Sequence, residues 1–165
     1  MSALSKRHVL KEKEAKQLIF NISQKIPVNF EQFFGLKPRI ELFKVPAVEI
    51  FLFNEKPVLA KAEGILFPTL IFIEVFKYLA KVVVDMGAVS HVCNGADILA
   101  PGVVLIQGSF RKDDFILVVD ERYNKPLAVG LALNTSEDFK MIKKGKIVKN
   151  IHYVGDKIWK LIKSS

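Results

Sequence analysis

Two glycine–alanine pairs eight residues apart, Gly87-Ala88 and Gly95-Ala96, stand among short valine-rich runs. The second leads through Asp97-Ile98-Leu99-Ala100 into Pro101-Gly102. Glycine lets a main chain turn tightly and approach a ligand with no side chain intervening. Gly95 is expected to open a short helical turn that Asp97 to Ala100 fill and Pro101-Gly102 end. The free N–H groups at the start of such a turn suit a phosphate or the edge of an unpaired base. Asp97 is expected to accept N–H bonds there, and its charge favours base-edge or sugar contact over a phosphate at that spot. The same residues also fit a plain strand-to-helix corner whose glycines serve packing alone.

Other side chains add candidates. Lys149, Lys157 and Lys160 can hold phosphates that flank a bound base. Tyr153 can stack on a base, although an aromatic on a closing strand also serves as core. His152 alternates with Tyr153 along a strand, so it faces the opposite way, towards RNA or solvent. Trp159 and the phenylalanines are expected in the core or a domain interface. His91, Cys93 and Asp97 lie close in sequence but make no triad. His91 and Cys93 are two apart on an expected strand, no base is positioned for either, and no glycine-flanked nucleophile elbow occurs.

Composition narrows the classes. The chain has 165 residues and a net charge of +8. From Lys140 to Ser165 eight lysines face a single acid, a net of +7, so the excess charge sits in one region and favours an anionic partner. Cys93 is the only cysteine, which excludes an internal disulfide. With His8, His91 and His152 scattered, no zinc-ligand spacing results, and neither a metal nor a cofactor is expected. The start, Met1 to Arg7, is followed by charge where an export signal would have its apolar segment, which points to the cytoplasm. The apolar run from Ile65 to Val84 has roughly the length of a membrane span. Pro68 interrupts it, and Glu74, Lys77 and Lys81 share one helical face, so Thr69 to Ala80 reads as an amphipathic helix and no membrane contact is expected.

The elements that must position these residues form an α+β chain. A surface helix is expected over Lys11 to Ile26 and a short turn over Phe30 to Gly35. Strands follow over Arg39 to Lys44, Val48 to Asn54 and Val58 to Ala62. After Lys81 short strands dominate: Val82 to Val84, Val89 to Cys93, Val103 to Gln107, Phe115 to Val119 and Leu127 to Leu133. A helix capped by Asn134 or Thr135 runs to Lys144, and two last strands flank Gly155-Asp156, the second over Ile158 to Leu161. Evenly spaced short strands predict a small closed or nearly closed barrel. Two domains are expected, residues 1–79 and 80–165. About eighty residues before Lys81, without a Walker-type loop, are too few for a catalytic domain, so no enzyme is expected.

The order of strand, Gly-Ala turn, strand and Gly-Ala-Asp-Ile-Leu-Ala-Pro-Gly-Val resembles the PUA domain, first described in pseudouridine synthases and archaeosine transglycosylases. Lys149-Asn150-Ile151-His152-Tyr153-Val154-Gly155-Asp156-Lys157-Ile158-Trp159 is similar to the C-terminal signature of the malignant T-cell-amplified-sequence group of PUA proteins and its archaeal relatives. Val48 to Asn54, Glu63-Gly64 and Phe67-Pro68-Thr69-Leu70 resemble the small α+β domain that precedes the PUA domain in that group. The resemblance implies a non-catalytic translation factor that acts with a partner chain in ribosome recycling and reinitiation. It further implies binding to a tRNA acceptor end or to ribosomal RNA on the small subunit. The segment that faces RNA would be Gly87-Ala88, Gly95-Ala96, Asp97 and Pro101-Gly102. Two other functions fit the residues: an adaptor that docks a protein through Phe30, Phe33 and Phe34, and an accessory subunit of an RNA-modifying enzyme.

Overall fold

The computed structural model describes residues 6–164, so Met1 to Ser5, most of the Met1 to Arg7 segment read against export, lies outside the described residues. The described residues open with strand β1 (Lys6–Val9) and helix α1 (Glu12–Ser23). The Glu14 carboxylate accepts the Lys11 N–H at 3.1 Å and starts α1, whose Leu18 and Ile22 turn into the core. Helix α2 (Phe30–Phe34) is capped by Asn29, whose side chain accepts the Glu31 N–H. Strands β2 (Ile40–Val45), β3 (Val48–Phe53), β4 (Lys56–Ala62) and β5 (Ile65–Pro68) follow. They pair antiparallel in the order β1-β2-β3-β4-β5. Asn54 and Glu55, then Glu63 and Gly64, take positive φ at the hairpin turns, the geometry that matches strand twist.

A 3-10 turn (Ile73–Tyr78) leads into the second sheet. Its strands are β6 (Ala80–Val84), β7 (Ile98–Leu99), β8 (Val103–Gln107), β9 (Phe115–Asp120), β10 (Pro126–Ala132) and β11 (Lys146–Tyr153). Their order is β7-β11-β10-β9-β6-β8, with β6 and β9 parallel, and the sheet curls into a half-barrel as expected of the α+β class. Three short helices decorate it: α3 (Val89–Val92), α4 (Ser136–Phe139) and α5 (Lys157–Ser164).

Strand β9 explains how the two sheets meet. Ile116 and Val118 point into the half-barrel with Val82, Val84 and Phe139, whereas Phe115, Leu117 and Val119 join Val83 and Val129 in one core with the front sheet. Every residue of β9 is therefore buried, which is why it reads as a continuous apolar run. Helix α5 folds back onto that shared core through Ile158 and Ile162.

Several local expectations are corrected. Val89 to Val92 is helical because the Asp85 carboxylate accepts the Ala88 N–H at 2.9 Å and nucleates a turn there, overriding the β preference of valine. Asp97 to Ala100 is not helical: Ile98 pairs with Val148 in β7, and only Ala100–Gly102 forms a 3-10 turn. Ile158 to Leu161 belongs to α5, not a strand, since Asp156 caps it by accepting the Trp159 N–H at 2.6 Å. Thr69 to Ala80 holds the 3-10 turn rather than a long helix, and α4 stops at Phe139 well before Lys144. Phe30 is buried, and Phe33 and Phe34 pack on Phe72 and Phe53, so this cluster is core rather than a docking surface.

Candidate nucleic-acid interface

The two Gly-Ala elements and the Pro-Gly turn do come together. The Asp85 N–H donates to the Gly102 carbonyl at 2.9 Å, stitching the end of β6 to the turn before β8. A Cβ added at Gly102 would lie 3.4 Å from the Ala88 Cβ, so these small residues let two backbone segments approach within packing distance. Between them and α3 opens a cleft of about 390 Å³. Its walls are chiefly apolar, from Val84, Ala88, Val92, Ile98, Leu99 and Pro101, with Asp85, His91 and Asp97 supplying polar groups. Gly87 and Ala96 also line it, and the whole lining comes from the second half of the chain, so the front domain does not roof it.

Gly95 has a different role from the one expected. It ends α3 rather than opening a helix, and its φ of +92° is a left-handed conformation that glycine adopts freely. Its N–H donates to the Val92 carbonyl at 3.0 Å, and the Ala96 N–H donates to the His91 carbonyl at 3.0 Å. Both main-chain donors are spent inside the chain. A Cβ on Gly95 would meet the Tyr153 ring at 3.1 Å, so Tyr153 is a packing partner of this turn and part of the half-barrel core.

Asn150 holds the turn in place, a residue that sequence reasoning overlooked. Its side-chain amide donates to the carbonyls of Val92 and Ala96, both at 3.0 Å, and its N–H donates to the Asp97 carboxylate at 2.9 Å. Asp97 therefore accepts from β11 and not from a helical turn. Its second oxygen lies 3.3 Å from Lys146 Nζ. Lys146 was missed as well, because its approach depends on the pairing of β11 with β7. The Ala100 N–H donates to the Gly145 carbonyl at 2.9 Å, which sets the exposed run Lys143-Lys144-Gly145-Lys146 beside the cleft.

The lysines singled out earlier lie elsewhere. Lys149 borders a groove of about 290 Å³ shared with the β2–β3 and β4–β5 turns. Lys157 donates to the Pro46 carbonyl at 3.1 Å, against the front domain, and Lys160 is exposed on α5. His152 is fully buried, so it contacts neither RNA nor solvent. Its Nε2 accepts the Leu70 N–H at 3.1 Å, which puts its proton on Nδ1, 2.9 Å from the Asp156 carboxylate. The alternation with Tyr153 holds, but the opposite face lies beneath the front domain.

Cys93 is not an activated nucleophile. Burial pushes the Cys93 thiol above its ordinary value, against a smaller opposing pull from Lys125. Among the described residues, no three His, Cys, Asp or Glu side chains cluster as a metal site requires. A larger groove of about 950 Å³ between α1, the front sheet and Phe115 carries Lys13, Lys25 and Lys61 against Glu14, Glu49 and Asp113, so its charges cancel. No described helix is long and apolar enough to cross a membrane.

The PUA domain model matches residues 80–154, and a domain of unknown function, DUF1947, matches residues 6–76. An uncharacterized protein of Methanocaldococcus jannaschii is 36% identical over 160 residues, covering 94% of this chain and 96% of the relative. Translation machinery-associated protein 20 of Schizosaccharomyces pombe is 36% identical over 83 residues, 48% of this chain and 46% of its own length. Malignant T-cell-amplified sequence 1 of Rattus norvegicus is 31% identical over 101 residues, 59% of this chain and 56% of its own, so the match spans about half of each of these two relatives. The crystal structure of a hypothetical protein from Pyrococcus horikoshii superposes with a TM-score of 0.80 at 35% identity, covering 95% of this chain and 99% of that one. With the fold, the glycine-built cleft and a relative aligned almost end to end, the chain belongs to the PUA-domain proteins of the malignant T-cell-amplified-sequence group, in which a small α+β domain precedes the PUA domain.

Proposed function

We propose that this protein is a non-catalytic, translation-associated RNA-binding factor of the cytoplasm whose cleft takes unpaired nucleotides. The RNA is the acceptor end of a tRNA or a single-stranded stretch of small-subunit ribosomal RNA, and a separate translation-factor chain accompanies it. The observation that carries this reading is the cleft between Gly87-Ala88 and Pro101-Gly102. It is narrow because Ala88 and Gly102 let two backbone segments approach closely, apolar where a base would lie flat, and bordered where phosphates would run by Lys146, which reaches the cleft-lining Asp97, and the exposed Lys143 and Lys144 that precede it. Unpaired bases are the part of RNA that can enter such a slot, since the bases of a duplex are stacked and their edges engaged. Asp97, neutralised by Lys146, no longer repels a phosphate as it would alone. Gly87, Ala88, Ala96, Asp97, Pro101 and Gly102 remain the proposed contact set. Lys143, Lys144 and Lys146 replace Lys149, Lys157 and Lys160 as its phosphate-binding flank.

The test is fluorescence anisotropy with a labelled tRNA, intact and trimmed of its terminal single strand. Trimming is expected to weaken binding. Gly102→Leu, which has no positive φ to violate and projects towards Ala88, is expected to reduce affinity for the intact tRNA at least tenfold while the fold is kept. Equal affinity of parent and variant for both RNAs would overturn the proposal.

A further inference from the structure

The turn between β9 and β10 is too ordered for an idle loop. Asp120, 3% exposed, directs its carboxylate back into the turn and accepts the N–H groups of Arg122, Tyr123 and Lys125. Those bonds, the Tyr123 N–H above all, hold its carboxyl below the ordinary aspartate value, so the turn is organised wherever the protein is folded near neutral pH. The Asp120 N–H donates to the Lys125 carbonyl, and the Asn124 N–H returns to the Asp120 carbonyl with Asn124 at a φ of +54°.

Tyr123 is 71% exposed, and the Arg122 guanidinium lies over its ring, 6.0 Å from the centroid. Asx-type turns of this kind can be built with small polar residues alone, so neither the ring nor the guanidinium is needed for the turn itself. The turn also abuts the cleft. The Glu121 N–H donates to the carbonyl of Val84, a cleft-lining residue, at 3.0 Å.

We propose that Tyr123, backed by Arg122, is a stacking platform for an unpaired base neighbouring the one in the cleft. This rests on the cleft as the RNA site and adds a second nucleotide subsite to it. An exposed aromatic flanked by cations is the sequence-tolerant means of holding single-stranded RNA, because every base offers a π-face while lysine and arginine meet the phosphates. A protein partner would instead need an apolar surround, and the neighbours of Tyr123 are Arg122, Asn124 and Lys125, all exposed.

The experiment measures affinity by anisotropy for the parent, Tyr123→Phe, Tyr123→Ala and Gly102→Leu. The probes are a labelled tRNA with its terminal single strand intact and a set with one abasic nucleotide at each terminal position. Tyr123→Phe should bind within about twofold of the parent, and Tyr123→Ala should lose about fivefold to 150-fold, the range of one base stack. That loss should vanish for one abasic position, where the platform has no base to hold. Tyr123→Ala binding like the parent, or losing the same factor on every abasic RNA, overturns the proposal. Should Gly102→Leu bind normally while the Tyr123→Ala loss persists and is erased by one abasic position, the cleft assignment falls and the platform stands.

Discussion

Replacing Gly95 with alanine separates a packing role from a ligand-binding one. At φ +92° an L-residue carries a penalty of about 1–2 kcal/mol, because its Cβ crowds the backbone in the left-handed region. The new methyl would also press on the Tyr153 ring at 3.1 Å, and giving way there costs about another 1–2 kcal/mol. A total of about 2–4 kcal/mol is a large fraction of the stability of a domain. In urea it should lower the unfolding midpoint by about 1–2 M with an unchanged slope. Adding Tyr153→Leu should recover part of the loss, a coupling of about 1 kcal/mol, because only the ring contact is shared between the two sites. Under conditions where Gly95→Ala stays folded, RNA affinity should remain within about threefold of the parent, since the Gly95 N–H is already committed to Val92. A variant as stable as the parent but unable to bind RNA would refute this reasoning and return the Gly95 N–H to the ligand.

The remaining predictions concern other groups around the cleft. His152→Ala strands the buried Leu70 N–H and should cost about 1–3 kcal/mol in thermal unfolding, with RNA affinity unchanged; a loss of affinity in the folded variant would contradict its burial. Lys146→Ala should weaken RNA binding and reduce the log–log salt slope by about 0.7, whereas Lys157→Ala should leave both alone; the reverse pattern would put the RNA on the Pro46 side. Because the Asp120 carboxyl is held down, its stabilising contribution is complete above the ordinary aspartate pKa and is lost as pH falls through the lowered value. The amide signals of Arg122, Tyr123 and Lys125 should therefore move together, with a midpoint below that of the exposed aspartates. A midpoint at or above theirs would contradict the capping geometry.

What could be read from the chain alone follows the range of the forces involved. Val103 to Gln107 and Val48 to Phe53 were legible as strands because their β-rich composition and flanking turn residues are local signals. Strand β1 was not, since Lys6 to Val9 are all exposed and only pairing with β2 makes them a strand. Helix α5 carried a local signal that was passed over: Asp156 stands at a capping position before Ile158, Leu161 and Ile162, which share one helical face.

The site divides in the same way. Small residues at Ala88 and Gly102 were a sound guide to close approach of two segments, because absence of a large side chain is written in the residue itself. The bonding state of the Gly95 and Ala96 N–H groups was hidden, as it depends on α3 being helical. Lys146 and Asn150 reach the cleft through β11, a pairing some fifty residues distant in sequence that no local pattern announces. His152 was assigned to the correct side of its strand, yet what covers that side is the front domain, so the burial of this residue is a property of the domain contact.

The most direct test of the cleft as the RNA site is amide chemical-shift mapping of the isotopically labelled protein during titration with the single-stranded terminal segment of a tRNA. Shifts concentrated at residues 84–102, with a second set at 121–125 and 143–146, are the predicted result. Shifts centred instead on α1 and the groove it forms with the front sheet, with the cleft residues silent, would contradict the account.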